Sequence, residues 1–230
     1  MIEQAPILVT GCARSGTSMI AKVINICGAF GGRMNAMYEN KAIQEQMVKL
    51  YLGNLGYDSK GQYPMPTIEG LVSPFNWKMR VEDIMTKEGY QKGLWLLKDT
   101  KMCQMWPVWN NAFPNAKWII VRRRTGDIVQ SCLKTGYMTA FADEHVQKEI
   151  GVSNEQDGWL WWEHEHEKRF VEMITEGLNC KVIWPSRMVY GDYQQLYETL
   201  DWLKLPWRSE ILSVIDPLLW NSRQKERSQL

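Results

Sequence analysis

The stretch Ile7–Cys27, ILVTGCARSGTSMIAKVINIC, limits the possible folds more than any other part of the chain. Ile7, Leu8, Val9 and Thr10 are apolar or β-branched and read as a buried strand. They run into Gly11, and Gly16 follows five residues later with the hydroxyls of Thr17 and Ser18 behind it. Met19, Ile20, Val23, Ile24 and Cys27 then recur at helical spacing. A strand, a loop bounded by glycines and a helix, in that order, build a cradle for an anion. The loop's backbone N–H groups and the positive end of the helix point at one place.

Gly11 and Gly16 have the G-x-x-x-x-G spacing of the nucleotide-binding P-loop, but the lysine that should follow the second glycine is absent. Thr17 stands there instead, and the loop's cation is Arg14. A P-loop lysine reaches the β- and γ-phosphates, where most of the charge of ATP lies. Losing it while keeping the cradle points to a ligand with a smaller terminal anion. A helix that merely starts after a glycine turn would leave the two hydroxyls and Arg14 unexplained.

With 230 residues, 45% of them hydrophobic and 23% charged, the chain can bury a sizeable core and reads as one domain over residues 1–230. A net charge of +1 argues against a bulk electrostatic partner such as nucleic acid, while leaving room for a local basic site. MIEQAPILV carries no basic flank ahead of its short apolar run, so no signal peptide is expected, and no stretch reaches the length of a membrane span. The five cysteines (Cys12, Cys27, Cys103, Cys132, Cys180) are odd in number and scattered. They suit buried thiols in a reducing cytosol rather than a disulfide framework or a zinc site, which predicts a cytoplasmic protein. Cys12, inside the cradle loop, reads as a small filler rather than a reactive thiol. The oligomeric state is left open.

Beyond the first helix, Asn35–Lys41 is a polar turn leading into a helix with Ile43, Met47, Leu50 and Tyr51 on one face. Residues 53–77 hold glycines, prolines and few periodic apolar positions, and read as a long loop of the kind that is usually functional or mobile. A helix is predicted over about 79–91. A second buried strand, Leu94–Leu97, ends in Lys98-Asp99-Thr100-Lys101. A helix over Met102–Phe113 carries Pro107 near its first turn. A third strand, Lys117–Val121, runs straight into Arg122-Arg123-Arg124. Glu155–Glu176 reads as a long helix with Trp159, Trp162, Phe170 and Met173 inward, Lys181–Trp184 as a strand, and about 192–204 and 208–216 as closing helices. Strands alternating with helices predict an α/β fold: a P-loop-type central parallel sheet of four to five strands with helices on both faces. Such a sheet binds its ligand at the carboxyl ends of the strands, where the cradle, Lys98 and the arginine triplet should converge.

The triplet opens a second pattern. Thr125 or Asp127 can cap a helix whose apolar positions Ile128, Val129, Cys132 and Leu133 keep helical period. Ser131 lies one turn after Asp127 on the same face, so Arg123 and Ser131 can flank one further anion. Three cations at the end of a buried strand repel one another and favour an anion there.

At these residues the sequence resembles the P-loop sulfotransferases. ARSGTS (Ala13–Ser18) is similar to their 5′-phosphosulfate loop, and Arg123–Ser131 to their R-x-P-x-D-x-x-x-S element, with Thr125 in place of the proline. Tyr38-Glu39-Asn40, Lys98-Asp99-Thr100, Phe113–Lys117 and Val189–Tyr193 are similar to further elements of bacterial-type members. The resemblance implies that Gly11, Cys12, Ala13, Arg14, Ser15, Gly16, Thr17 and Ser18 hold the 5′ end of 3′-phosphoadenosine 5′-phosphosulfate (PAPS). Arg123 and Ser131 would hold its 3′-phosphate, no metal is called for, and adenosine 3′,5′-bisphosphate is the product. Met19 stands where cytosolic members carry a tryptophan that stacks on adenine. The tail from about residue 219 is either a loose echo of their C-terminal R-K-G, through Arg223 and Lys225, or disordered.

On this reading Arg14 and Lys98 stabilise charge during in-line sulfuryl transfer to a hydroxyl or amine of a small-molecule, carbohydrate or lipid acceptor. Glu39 is the candidate base, with His145 as runner-up and a helix-capping role for Glu39 as the competing reading. His164 and His166 read as surface or pocket-edge residues. The Trp-Leu-Trp-Trp cluster at 159–162 is either core or a stacking platform for the acceptor. The rival classes are a P-loop kinase, which would need the missing lysine, and an inactive nucleotide-binding module.

Overall fold

In a computed structural model describing residues 2–215 and 217–220, four strands form one sheet. They are β1 (Ile7–Gly11), β2 (Leu96–Lys98), β3 (Lys117–Val121) and β4 (Cys180–Ile183), in the order β2-β1-β3-β4 with every neighbour parallel. β1 therefore sits inside the sheet, which agrees with its fully buried pattern. The fold is the expected α/β arrangement.

Side-chain alternation along the strands sorts residues to two faces. Ile7, Val9, Leu96, Ile119, Val121 and Ile183 face one core, built with the helices Thr17–Ile26 and Gln194–Leu203. Leu8, Leu97, Trp118 and Ile120 face the other, which is larger and rich in tryptophan. There Trp77 meets Trp109 edge-on at 5.4 Å and Trp159 meets Trp162 at 5.5 Å. Trp159 and Trp162 are thus core; within the 159–162 run only Leu160 is exposed. Helices cover both faces, and no described helix is long and apolar enough to cross a membrane.

Several element limits move for physical reasons. Residues 41–54 form one continuous helix interrupted by a π-turn, Gln44–Val48. A π-turn inserts a residue and slips the phase of the helix. The buried face becomes Ile43, Met47, Val48 and Leu52, while Leu50 turns outward. The segment expected as one helix from Met102 begins as a 3₁₀ stretch, Thr100–Met105, and becomes α-helical only at Trp106–Ala112, with Pro107 in its first turn. The helix expected over 79–91 runs Trp77–Lys87, and the long helix runs Glu155–Thr175. His166, expected near the surface, is instead completely buried on that long helix. Its Nδ1 lies 2.8 Å from the Trp162 carbonyl and its Nε2 3.0 Å from the Gln104 amide. Burial holds its pKa down to about 4, against a smaller upward pull from that carbonyl, so it is a neutral core residue. The Ser222–Lys225 segment lies outside the described residues.

Candidate active site

The glycines fix the cradle. Gly16 has φ 101°, a conformation that favours glycine, and a Cβ there would lie 2.7 Å from the Trp220 ring. A Cβ on Gly11 would collide with the Val121 carbonyl of the neighbouring strand. Arg14 adopts a left-handed backbone, φ 71°, without being glycine, a strain that a functional position can carry. The helix Thr17–Ile26 starts with no side-chain cap, leaving its first N–H groups directed at the loop's mouth.

The neighbouring strand ends are tied to this loop. Val9 pairs with Lys98, and Thr10 Oγ1 donates to the Asp99 carbonyl at 3.1 Å while accepting from the Cys103 amide at 3.1 Å. Gly11 pairs with Val121, which delivers Arg122-Arg123-Arg124 beside the cradle. Arg123 Nη1 donates to the Arg14 carbonyl at 3.0 Å, and Arg14 Nε donates to Ser131 Oγ at 2.8 Å. The two anion-binding patterns expected from the sequence therefore share a wall.

Together they line a cleft of about 740 Å³ that takes in Ala13, Arg14, Gly16, Thr17, Ser18, Glu39, Lys98 and Arg123. Six cationic side chains border this space; Lys49, Lys98 and Lys101 are paired with Glu45, Glu39 and Asp99, which leaves Arg14, Lys60 and Arg123 with no carboxylate partner among the described residues. In a chain of net charge +1 that concentration is local and favours an anionic ligand. Three buried polar atoms on the loop and its neighbouring strand ends have no partner among the described residues: Ser15 Oγ, Asp99 Oδ2 and Arg123 Nε. Burial, with Arg14 nearby, lowers the Arg123 pKa against an opposing pull from Asp127. Its guanidinium stays charged at neutral pH and is poorly compensated.

Glu39 lies on the polar turn before the π-containing helix. Lys98 Nζ is 2.8 Å from its Oε1, and Gln44 makes a short hydrogen bond to its Oε2, which Asn35 also approaches at 3.4 Å. Burial pushes its pKa up, but Lys98, Lys101 and these donors outweigh burial and hold it below the ordinary carboxylate value. Glu39 is therefore ionised at neutral pH. His145 is exposed and is not part of the cleft wall. Cys12 is buried, and burial raises its pKa well above the usual thiol value, which keeps it unreactive.

Several cleft residues belong to no motif that the sequence offers. Gln62 comes from the aperiodic loop 53–77, Tyr137 and Met138 from the turn after the helix Thr125–Leu133, and Trp220 from the chain's last described segment. Trp220 places its ring 4.3 Å from the Arg123 guanidinium, and its carbonyl accepts from Arg123 Nη2 at 3.1 Å. Among the described residues no group of three or more His, Cys, Asp or Glu is placed to hold a metal ion.

No family model matches the sequence, and no curated protein matches it. Solved structures do match. The sulfotransferase domain from the curacin biosynthetic pathway superposes with a TM-score of 0.54 at 17% identity, over 93% of this chain and 78% of that one. The sulfotransferase domain of the Synechococcus PCC 7002 olefin synthase gives 0.52 at 14% identity, over 96% and 89%. A sulfotransferase of Mycobacterium tuberculosis H37Rv gives 0.51 at 14%, over 94% and 71%. The chain has the sulfotransferase fold.

Proposed function

We propose that this chain is a PAPS-dependent sulfotransferase acting on a hydroxyl or amine of a small-molecule, carbohydrate or lipid acceptor. The observation that carries this reading is the Arg14–Ser131 contact at 2.8 Å, which joins a lysine-free cradle to the Arg123 site in one basic cleft. The unpartnered Nε of Arg123, a residue of the cleft wall, fits an anion in that half. When bound, PAPS supplies a sulfuryl group already activated by its link to phosphate. The loop N–H groups with Thr17 and Ser18 bind the 5′ end, and Arg123 with Ser131 binds the 3′ end. Arg14 and Lys98 stabilise negative charge as it gathers on the departing oxygen. Glu39 takes the acceptor's proton on a carboxylate oxygen. A sulfuryl group carries less charge than a γ-phosphate, which accords with Thr17 in the lysine's place.

The free cysteines, four of the five buried and Cys180 partly so, support a cytoplasmic location, and the two cores built on one sheet support a single domain. A kinase would need the lysine after Gly16. An inactive module would have had little reason to keep Arg14, Thr17, Ser18, Arg123 and Ser131 together. Calorimetric titration without magnesium tests the reading: adenosine 3′,5′-bisphosphate should bind clearly more tightly than ATP or AMP. Metal-dependent ATP binding with no preference for the bisphosphate would identify a kinase instead. An acceptor screen with labelled PAPS then names the second substrate.

A further inference from the structure

Tyr137 belongs to no motif, yet it holds the cation of the cradle. Arg14 Nε donates to Ser131 Oγ, and Arg14 Nη1 donates to the Tyr137 hydroxyl, each at 2.8 Å. The Tyr137 ring also lies beside the guanidinium, 5.8 Å from its carbon to the ring centroid. With the Arg14 carbonyl fixed by Arg123, both the backbone and the plane of this guanidinium are set, and its Nη2 edge makes no hydrogen bond among the described residues.

Tyr137 is 49% exposed, so burial does not hold it in place. Its position comes from Gln62, which is almost completely buried. Gln62 Nε2 donates to the Tyr137 carbonyl at 2.8 Å, and its Oε1 accepts from the amides of Thr139 at 2.9 Å and Ala140 at 3.1 Å. Its own amide donates to Asp58 at 2.8 Å. One glutamine thus fastens the loop 53–77 to the turn 134–142, and the fastened turn presents the hydroxyl to Arg14. A half-exposed contact of this kind adds little to folding stability. Its effect is orientation.

We infer that Tyr137 is a positioning residue for sulfuryl transfer, holding Arg14 in the orientation that meets the 5′ anion; the inference rests on the sulfotransferase reading above. Through Gln62, the order of the loop 53–77 and the turn 134–142 is coupled to the orientation of Arg14.

A double-mutant cycle read by calorimetry with adenosine 3′,5′-bisphosphate tests this. Tyr137→Phe should weaken binding about fivefold, the scale of one hydrogen bond, with the melting temperature unchanged. In an Arg14→Ala background the same substitution should leave the affinity unchanged, an outcome that a general structural role for Tyr137 would not give. Equal losses in both backgrounds, or no loss from Tyr137→Phe alone, would overturn the inference while leaving the sulfotransferase reading intact. A wild-type chain that does not bind the bisphosphate would overturn that reading and the inference with it.

Discussion

Glu39 and Lys98 form a buried ion pair, Oε1 to Nζ 2.8 Å, that joins the turn after the first helix to the end of β2 inside the cleft. A buried pair of this kind is costly to assemble and is poor evidence of stability on its own. Here both partners face the place where the cradle and the arginines converge. The pair keeps a carboxylate ionised in a basic cleft and places a cation beside it, which suits a proton acceptor next to a leaving-group stabiliser.

Glu39→Gln should therefore lower turnover by about 10²–10⁴-fold and leave nucleotide binding nearly unchanged. Steady-state rates on a true acceptor, set beside calorimetric affinities, check this. Near-normal turnover would pass the role to another group.

Lys98→Met leaves the Glu39 charge buried with its main partner gone. The expected cost is about 3–5 kcal/mol of folding stability at neutral pH, read by urea denaturation. The sign with pH follows from the direction of the shift. The folded Glu39 pKa is depressed, so the pair's contribution is present above the ordinary value of 4.5 and is lost as pH falls through the lower folded value. The gap between wild type and variant should accordingly narrow in acid. A constant gap would show that Lys98 acts through packing rather than charge.

Glu163 titrates in the opposite sense. It is buried on the long helix behind the arginine triplet, and burial, with Glu167 adding, raises its pKa to about 7, while Thr125 and Arg122 pull it down. A raised carboxyl pKa means that the native state binds its proton more tightly than the unfolded chain does. Stability from this group is full below about 4.5 and declines as pH rises to about 7. Glu163→Gln should match wild type near the acid end and exceed it above neutrality, by on the order of 3 kcal/mol. Melting curves across that range decide it, and a variant less stable than wild type above neutrality would contradict it.

What the sequence discloses depends on how local the cause is. β3 appears over the expected residues, Lys117–Val121, because the four consecutive buried apolar positions Trp118–Val121 leave a parallel strand little choice. The cradle was legible because glycine spacing dictates backbone shape directly. The π-turn at Gln44–Val48 was not, since it shows itself only in which side of the helix finds a core. His166 looked polar and superficial, yet Gln104 and the Trp162 carbonyl satisfy its two nitrogens inside the core. Gln62, Tyr137 and Trp220 reach the site from distant segments by tertiary contacts, and nothing in their immediate neighbours marks them. Arg14 and Ser131 were each expected at an anion site, but their direct contact depended on how β1 and β3 register.

That contact sharpens the last prediction, which concerns how the two arginines divide their work. Arg123 is buried, with its Nε unpartnered, and its other nitrogens are held by carbonyls, so it can offer a fixed charge to a phosphate in ground and transition states alike. Uniform binding of that kind sets affinity and leaves the chemical step alone. Arg123→Ala should then weaken adenosine 3′,5′-bisphosphate binding about 10²-fold and remove most of the preference over AMP, in line with about 1.5–3 kcal/mol for a charge-assisted contact. Arg14 sits on the cradle, and on the proposed sulfotransferase reading the leaving oxygen would gain charge there, so its contact should strengthen toward the transition state. Arg14→Ala should cost about tenfold in affinity for the bisphosphate and a larger factor, about 10²–10³, in turnover. Titration and single-turnover rates on both variants separate the roles. If Arg14→Ala lost affinity and rate by the same factor, or Arg123→Ala lost rate with affinity kept, the assignment of the two subsites would be reversed.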